Sequence, residues 1–216
     1  MRVKFCGITN LDDAAEAVRL GAWAIGLIHW EPSSRNVDPT IAAEISAAFR
    51  RKLEVVGVFV NPTLAEVTRA VEDEQLSIVQ LNGEEGASFC AEVARRAGVK
   101  VIKAIHVSSA ADVHGAEAYR SVDYHLFDRR AGGLPGGTGE SFDWELLRGH
   151  RSEVPAILAG GLKPENVAEA VEIVAPYAVD VASGVEAEPG RKDHAKMAAF
   201  YEAAQPHVAE PDAAKA

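Results

Sequence analysis

The feature that most constrains this chain is a rhythm: short apolar runs of strand character alternate with helical patterns eight times. The runs fall at residues 2–6, 23–28, 55–60, 77–81, 100–105, 123–128, 154–159 and 178–183. Most are rich in Val, Ile and Phe, the composition of a strand buried on both faces. The intervening segments carry helix punctuation. Asn10 or Asp12 can cap a run with Ala14, Ala15, Val18 and Leu20, and Gly21 stops it. Pro39, Pro62 and Pro164 each sit just ahead of or inside the first turn of an amphipathic run. Two more helical patterns lie in "EEGASFCAEVARRAG" and "KDHAKMAAFYEAA", and the fifth and sixth helices are expected near 109–119 and 142–149. A helix between successive strands forces parallel pairing. Eight units in 216 residues, 27 residues each, predict an α/β fold closed into a single (β/α)8 TIM barrel. The rival, an open doubly wound sheet, normally carries a first-turn G-x-G-x-x-G and fewer units.

The barrel is expected to form one catalytic domain over residues 1–206, with a small polar tail at 207–216 that frays. A 48% hydrophobic content is ample for its core. The net charge of -10 argues against nucleic acid, whose phosphates need a basic face. No apolar run approaches the ~18 residues of a membrane span, and no leader pattern precedes the first strand. With two cysteines, Cys6 and Cys90, the expectation is a cytoplasmic protein with free thiols and no membrane partner.

In such a barrel the site lies at the carboxyl ends of the strands. The residues standing there are Cys6, His29 with Trp30, Asn61, Asn82, His106, Asp128, Gly160 with Gly161, and Ser183 with Gly184. Cys6 has two readings, a small buried apolar residue or a reactive thiolate. Lys4 shares its strand parity and so can face the interior with it. Cys90, inside a helical pattern, reads as core packing. Two glycine turns on adjacent strands, Gly160–Gly161 and Ser183–Gly184, let backbone N–H groups approach an oxyanion, which suits a phosphate. The stretch "GGLPGGTGESFDW" begins beside Asp128, and its Gly136, Gly137, Thr138 and Gly139 form a candidate lid. Asp180 lies inside the last strand, where a charge must be paired: with Lys4, or near a substrate amine. His29, His106 and His125 show no metal-ligand spacing and read as polar strand-end or packing residues, so no metal is expected.

The motifs "KFCGITN", "GVFVN", "VQLNGEE", "GGTGESFDW", "AGGLKPENV" and "DVASGVEAEPGRKD", in this order, resemble the phosphoribosylanthranilate isomerase family over residues 2 to about 204. That resemblance implies a (β/α)8 barrel and an Amadori rearrangement of a phosphorylated aminoaldose in tryptophan biosynthesis, with no cofactor. It implies Cys6 as general base, Asp128 as general acid, and Arg35 as the contact for the anthranilate end of the substrate. Its chemistry asks for a protonated carboxyl, so the pKa of Asp128 must rise above ~3.9, and for a thiol whose pKa falls from ~8.5 toward neutrality. The chain departs from the family at Asn82, where histidine is usual, and at Arg129, where a small polar residue is usual; a cation there lowers the pKa of the neighbouring acid. Asn82 keeps hydrogen-bonding capacity for substrate. Cysteine rather than aspartate at the end of the first strand argues against a histidine-pathway aminoaldose isomerase. A binding-only barrel would need no acid–base pair. The expected partner is a small phosphorylated substrate, and the chain is expected to be a monomer or a homodimer.

Overall fold

The computed structural model describes residues 1–129 and 143–205. Eight parallel strands close into a barrel: β1 (Arg2–Cys6), β2 (Ala24–His29), β3 (Glu54–Phe59), β4 (Ile78–Leu81), β5 (Lys100–Val107), β6 (Tyr124–Arg129), β7 (Ala156–Leu158) and β8 (Ala178–Val181). β8 returns to β1 with Lys4 opposite Asp180, so the sheet has no edge. The helices α1 (Leu11–Leu20), α2 (Pro39–Phe49), α3 (Leu64–Glu74), α4 (Ala87–Ala97), α5 (Ala110–Gly115), α6 (Val167–Val174) and α7 (His194–Ala204) wrap the outside.

Local chemistry explains the helix starts. Asn10 caps α1 by accepting from Asp13 N–H, Asp38 caps α2 ahead of Pro39, and Thr63 forms a reciprocal capping box with Glu66 on α3. Gly21 ends α1 at φ +81°, a conformation that costs glycine nothing. Two expected helices are shorter than the pattern suggests. The 109–119 segment divides into α5 and a 3₁₀ turn, Ala116–Tyr119, and the 142–149 segment is reduced to one 3₁₀ turn, Trp144–Leu147. The seventh strand starts later than expected: Pro155 has no N–H, and its carbonyl instead accepts from His125 N–H. Past β8, the "EAEPGRK" segment forms an antiparallel hairpin of β9 (Glu186–Glu188) and β10 (Arg191–Lys192) around Pro189 and Gly190.

Two apolar layers result from the period-two alternation of every strand. The outward layer meets the helices; Cys90 is fully buried there, and so are Phe5, Leu27, Leu81 and Phe127. The inward layer holds Ala24, Val56, Val58, Ile78, Ile102, Ala104, Tyr124, Leu126, Ile157 and Ala178, together with Cys6. Toward the carboxyl ends of β1, β4, β5, β6 and β8 the same parity switches to polar residues: Cys6, Asn82, His106, Asp128 and Asp180. Among the described residues no helix is long and apolar enough to cross a membrane.

Candidate active site

Lys4 and Cys6 stand on the same face of β1. Lys4 is fully buried, and its Nζ lies 2.8 Å from Asp180 Oδ1. Of the two readings for Asp180, the structure shows the pairing with Lys4. Burial works against the ammonium, but Asp180 and then Cys6 outweigh it, holding Lys4 above the ordinary lysine range. The Cys6 thiol faces the same ammonium. Room for both comes from Gly26, opposite Cys6 on β2: a Cβ there would lie 2.8 Å from Cys6 Sγ and 3.1 Å from Lys4 Nζ.

The thiol does not follow the expected direction. Burial pushes the Cys6 pKa above its usual value; Lys4 and Lys192 pull it down and Asp180 pushes it further up. Desolvation of a thiolate in this interior exceeds the attraction of two nearby ammonium groups.

The Asp128 carboxyl, at the end of β6, does shift in the expected direction. Burial pushes it up to about 6, with the charge of Asp180 adding to the rise. His106, on neighbouring β5, opposes it, as do the Arg129 backbone N–H, 2.7 Å from Asp128 Oδ1, and Lys4. Arg129 thus reaches the acid through its main chain. Gly160, at φ +84°, closes the other side: a Cβ there would lie 2.9 Å from Asp128 Oδ1.

Lys4 and Asp180 act electrostatically on both the thiol and the carboxyl, which makes β1, β6 and β8 one charged cluster at the barrel mouth.

Asn82 is buried at the end of β4. Its Oδ1 accepts from Gln80 Nε2 at 2.8 Å, and its carbonyl accepts from His106 Nε2 at 2.9 Å. Because a carbonyl can only accept, the His106 ring carries its proton on Nε2 in this contact. His106 follows the inward alternation of Ile102 and Ala104 on β5. His125 faces outward on β6 and meets the Tyr119 carbonyl, and His29 stacks on Phe59 with Nε2 3.0 Å from Glu74.

The glycine turns after β7 and β8 lie against each other. Gly160 and Gly161 both have positive φ, +84° and +67°. Among the described residues neither donates its N–H to another group. Ser183 and Gly184 open a 3₁₀ turn, Ser183–Val185, and a Cβ on Gly184 would collide with the Leu162 carbonyl. Close backbone approach between these loops therefore requires glycine at 184. The candidate lid residues Gly136, Gly137, Thr138 and Gly139 lie outside the described residues, as does the tail.

Arg35, in the loop after β2, is not waiting alone for a ligand. Its Nε and Nη2 donate to Glu186 Oε1 and Oε2 at 2.8 and 2.7 Å. Glu186 also accepts from the fully buried Lys192 Nζ at 3.0 Å. Glu186 and Lys192, both inside the "DVASGVEAEPGRKD" motif, are site residues that the sequence expectations lack. The available signal was the Pro-Gly turn between them, which folds two opposite charges back into one place.

Sequence and fold comparisons point to one family. The sequence model of the family described as N-(5'phosphoribosyl)anthranilate (PRA) isomerase matches residues 3–203. The N-(5'-phosphoribosyl)anthranilate isomerase of Geobacter metallireducens is 44% identical over 205 residues, covering 95% of this chain and 99% of that one. Among solved structures, phosphoribosyl anthranilate isomerase from Thermotoga maritima superposes with a TM-score of 0.88 at 41% identity, covering 94% of this chain and 98% of that one. A phosphoribosyl anthranilate isomerase in complex with reduced 1-(o-carboxyphenylamino)-1-deoxyribulose 5-phosphate gives 0.83 at 40% identity, with the same coverage. The chain belongs to the N-(5'-phosphoribosyl)anthranilate isomerase family.

Proposed function

We propose that this chain converts N-(5-phosphoribosyl)anthranilate to 1-(2-carboxyphenylamino)-1-deoxyribulose 5-phosphate in tryptophan biosynthesis, with Asp128 as general acid and Cys6 as general base. The observation that carries the reading is the buried Lys4–Asp180 ion pair, whose charges act both on the Cys6 thiol and on the Asp128 carboxyl, the latter pushed up to about 6.

Protonated Asp128 gives its proton to the ring oxygen as the bond from C1 to that oxygen breaks. The amine lone pair forms the C1=N bond, leaving an open-chain iminium. Cys6 removes the proton from C2, and the C2–H electrons move to C1–C2 as the iminium is neutralised. The enaminol then takes a proton at C1 from the Cys6 thiol and gives its C2 hydroxyl proton to the Asp128 carboxylate, so the ketone forms with both groups back in their starting protonation. C1 is reduced and C2 oxidised within one molecule, so the electrons balance without an outside acceptor. At pH 7 a carboxyl of pKa near 6 is about one-tenth protonated, against under one in a thousand for an ordinary aspartate. The raised thiol pKa is met by the substrate itself: the iminium brings a positive charge beside Cys6 at the step that needs the thiolate.

The N–H groups of Gly160 and Gly161, which have no acceptor among the described residues, suit the phosphate together with Ser183 and Gly184. Arg35 suits the anthranilate carboxylate, and Asn82 offers hydrogen bonds in place of a titratable ring. The test is the decay of substrate fluorescence on adding purified chain. Cys6→Ser and Asp128→Asn should each lose turnover while still binding a reduced product analogue. An inert parent chain, or variants as fast as the parent, would reject the assignment.

A further inference from the structure

We infer that Glu186 is a positioning residue: it presets Arg35 so that the outer edge of the guanidinium meets a substrate carboxylate. This rests on the proposed role of Arg35. Five N–H donors fan from a guanidinium in fixed geometry. Glu186 takes the Nε–H and one Nη2–H, at 2.8 and 2.7 Å. Among the described residues the other three, two on Nη1 and one on Nη2, donate to nothing, and they form the edge that receives a second carboxylate in bidentate fashion.

The preset is built from both sides. Arg35 Cδ rests against Gly7, where a Cβ would lie 2.8 Å away, so the side chain is trapped between the β1 turn and the hairpin. Glu186 is itself held. Lys192 Nζ reaches its Oε1 at 3.0 Å and the Ala182 carbonyl at 3.0 Å, and Lys196 Nζ holds its main-chain carbonyl at 2.8 Å. The hairpin is stapled to the α1 end of the barrel by Lys192 N–H to Asp13 Oδ2 at 2.9 Å and by Thr9 Oγ1 to the Gly190 carbonyl at 2.5 Å. Charge supports the same assignment. Arg35 and Lys192 carry two positive charges and Glu186 one negative, a surplus of one beside Cys6, which matches a single substrate carboxylate. A guanidinium fixed before binding loses less rotamer freedom when the substrate arrives.

The experiment compares N-(5-phosphoribosyl)anthranilate with N-(5-phosphoribosyl)aniline, which lacks the carboxylate, in the parent chain, Arg35→Gln and Glu186→Gln. Glu186→Gln should lower the ratio of kcat/KM between the two substrates about tenfold, through KM of the carboxylate-bearing one rather than kcat. A merely structural glutamate would depress both substrates alike and leave the ratio unchanged, which would overturn the inference. If Arg35→Gln collapses the ratio and Glu186→Gln does not, Arg35 recognises the carboxylate but Glu186 does not position it. If Arg35→Gln itself leaves the ratio intact, the Arg35 assignment fails. Should Glu186→Gln not fold, Glu186→Asp withdraws the charge by one methylene and should give an intermediate fall; a ratio equal to the parent's overturns the inference.

Discussion

Lys4 Nζ and Asp180 Oδ1 lie 2.8 Å apart inside the barrel, brought together across 176 residues of sequence where β1 closes against β8. This one ion pair acts on both ends of the proposed chemistry. Its cation pulls the Cys6 and Asp128 pKa values down, and its anion pushes both up.

Replacing Lys4 by Met leaves the Asp180 carboxylate buried without its partner. The expected loss is about 3–5 kcal/mol of folding stability, read by urea denaturation. Adding Asp180→Asn should recover most of that stability, because the uncompensated charge is gone. It should not restore turnover, since Cys6 then lacks its nearest cation. Full activity in the double variant would remove Lys4 from the mechanism.

Gly26→Ala tests the space around the thiol. The new Cβ would come within 2.8 Å of Cys6 Sγ, so the thiol or the strand must shift. Overpacking of this kind costs about 1–3 kcal/mol. If Cys6 is the proposed base, its displacement should slow kcat by about 10²-fold, a larger effect than the stability loss explains. Unchanged kcat with a lowered melting temperature would show that Cys6 has freedom the packing does not suggest.

The pH profile of kcat/KM follows from an acid at about 6 and a thiol raised above its ordinary value. In the proposed mechanism the competent form has Asp128 protonated and Cys6 ionised. Below about 6 the carboxyl stays protonated while the thiolate declines tenfold per unit. Between the two pKa values the gain in thiolate cancels the loss of protonated carboxyl, giving a plateau. Above the thiol pKa the rate falls with the acid. Initial rates from pH 4.5 to 10 should show the lower bend near 6. A bend near 4 would mean that Asp128 is an ordinary carboxylate.

His125 sets a separate pH dependence, one of stability. Burial lowers its pKa below the usual value, and its Nε2 meets the Tyr119 carbonyl at 3.1 Å. The unfolded chain therefore binds this proton more readily than the folded one. The stability is fully present above the unfolded pKa of ~6.5 and is lost as pH falls below it toward the folded value. Denaturation midpoints of the parent chain and His125→Phe, measured at pH 8 and 5.5, should differ more for the parent. An equal drop in both would assign the pH dependence elsewhere.

Much of the fold is written locally. Eight runs of strand character and capped helical patterns are short-range signals, and Asn10, Asp38, Thr63 and Gly21 act within a few residues of where they stand. Where the signal was weakest, at 109–119 and 142–149, the helices came out short. Strand parity put Lys4 on the face of Cys6, and the rule that sites lie at strand ends singled out Asn82, His106 and Asp128.

What alternation along the chain determined was therefore the barrel, its site-bearing end and the glycine turns after β7 and β8. Only closure of the barrel decided the electrostatics. It chose Lys4 for Asp180 out of the two partners the sequence left open, and it brought Arg35 to Glu186 across 151 residues, a contact no local pattern records. The direction of the Cys6 shift was likewise out of reach of sequence, because it depends on how completely the surrounding strands exclude water and on which charges from distant strands share that dry space.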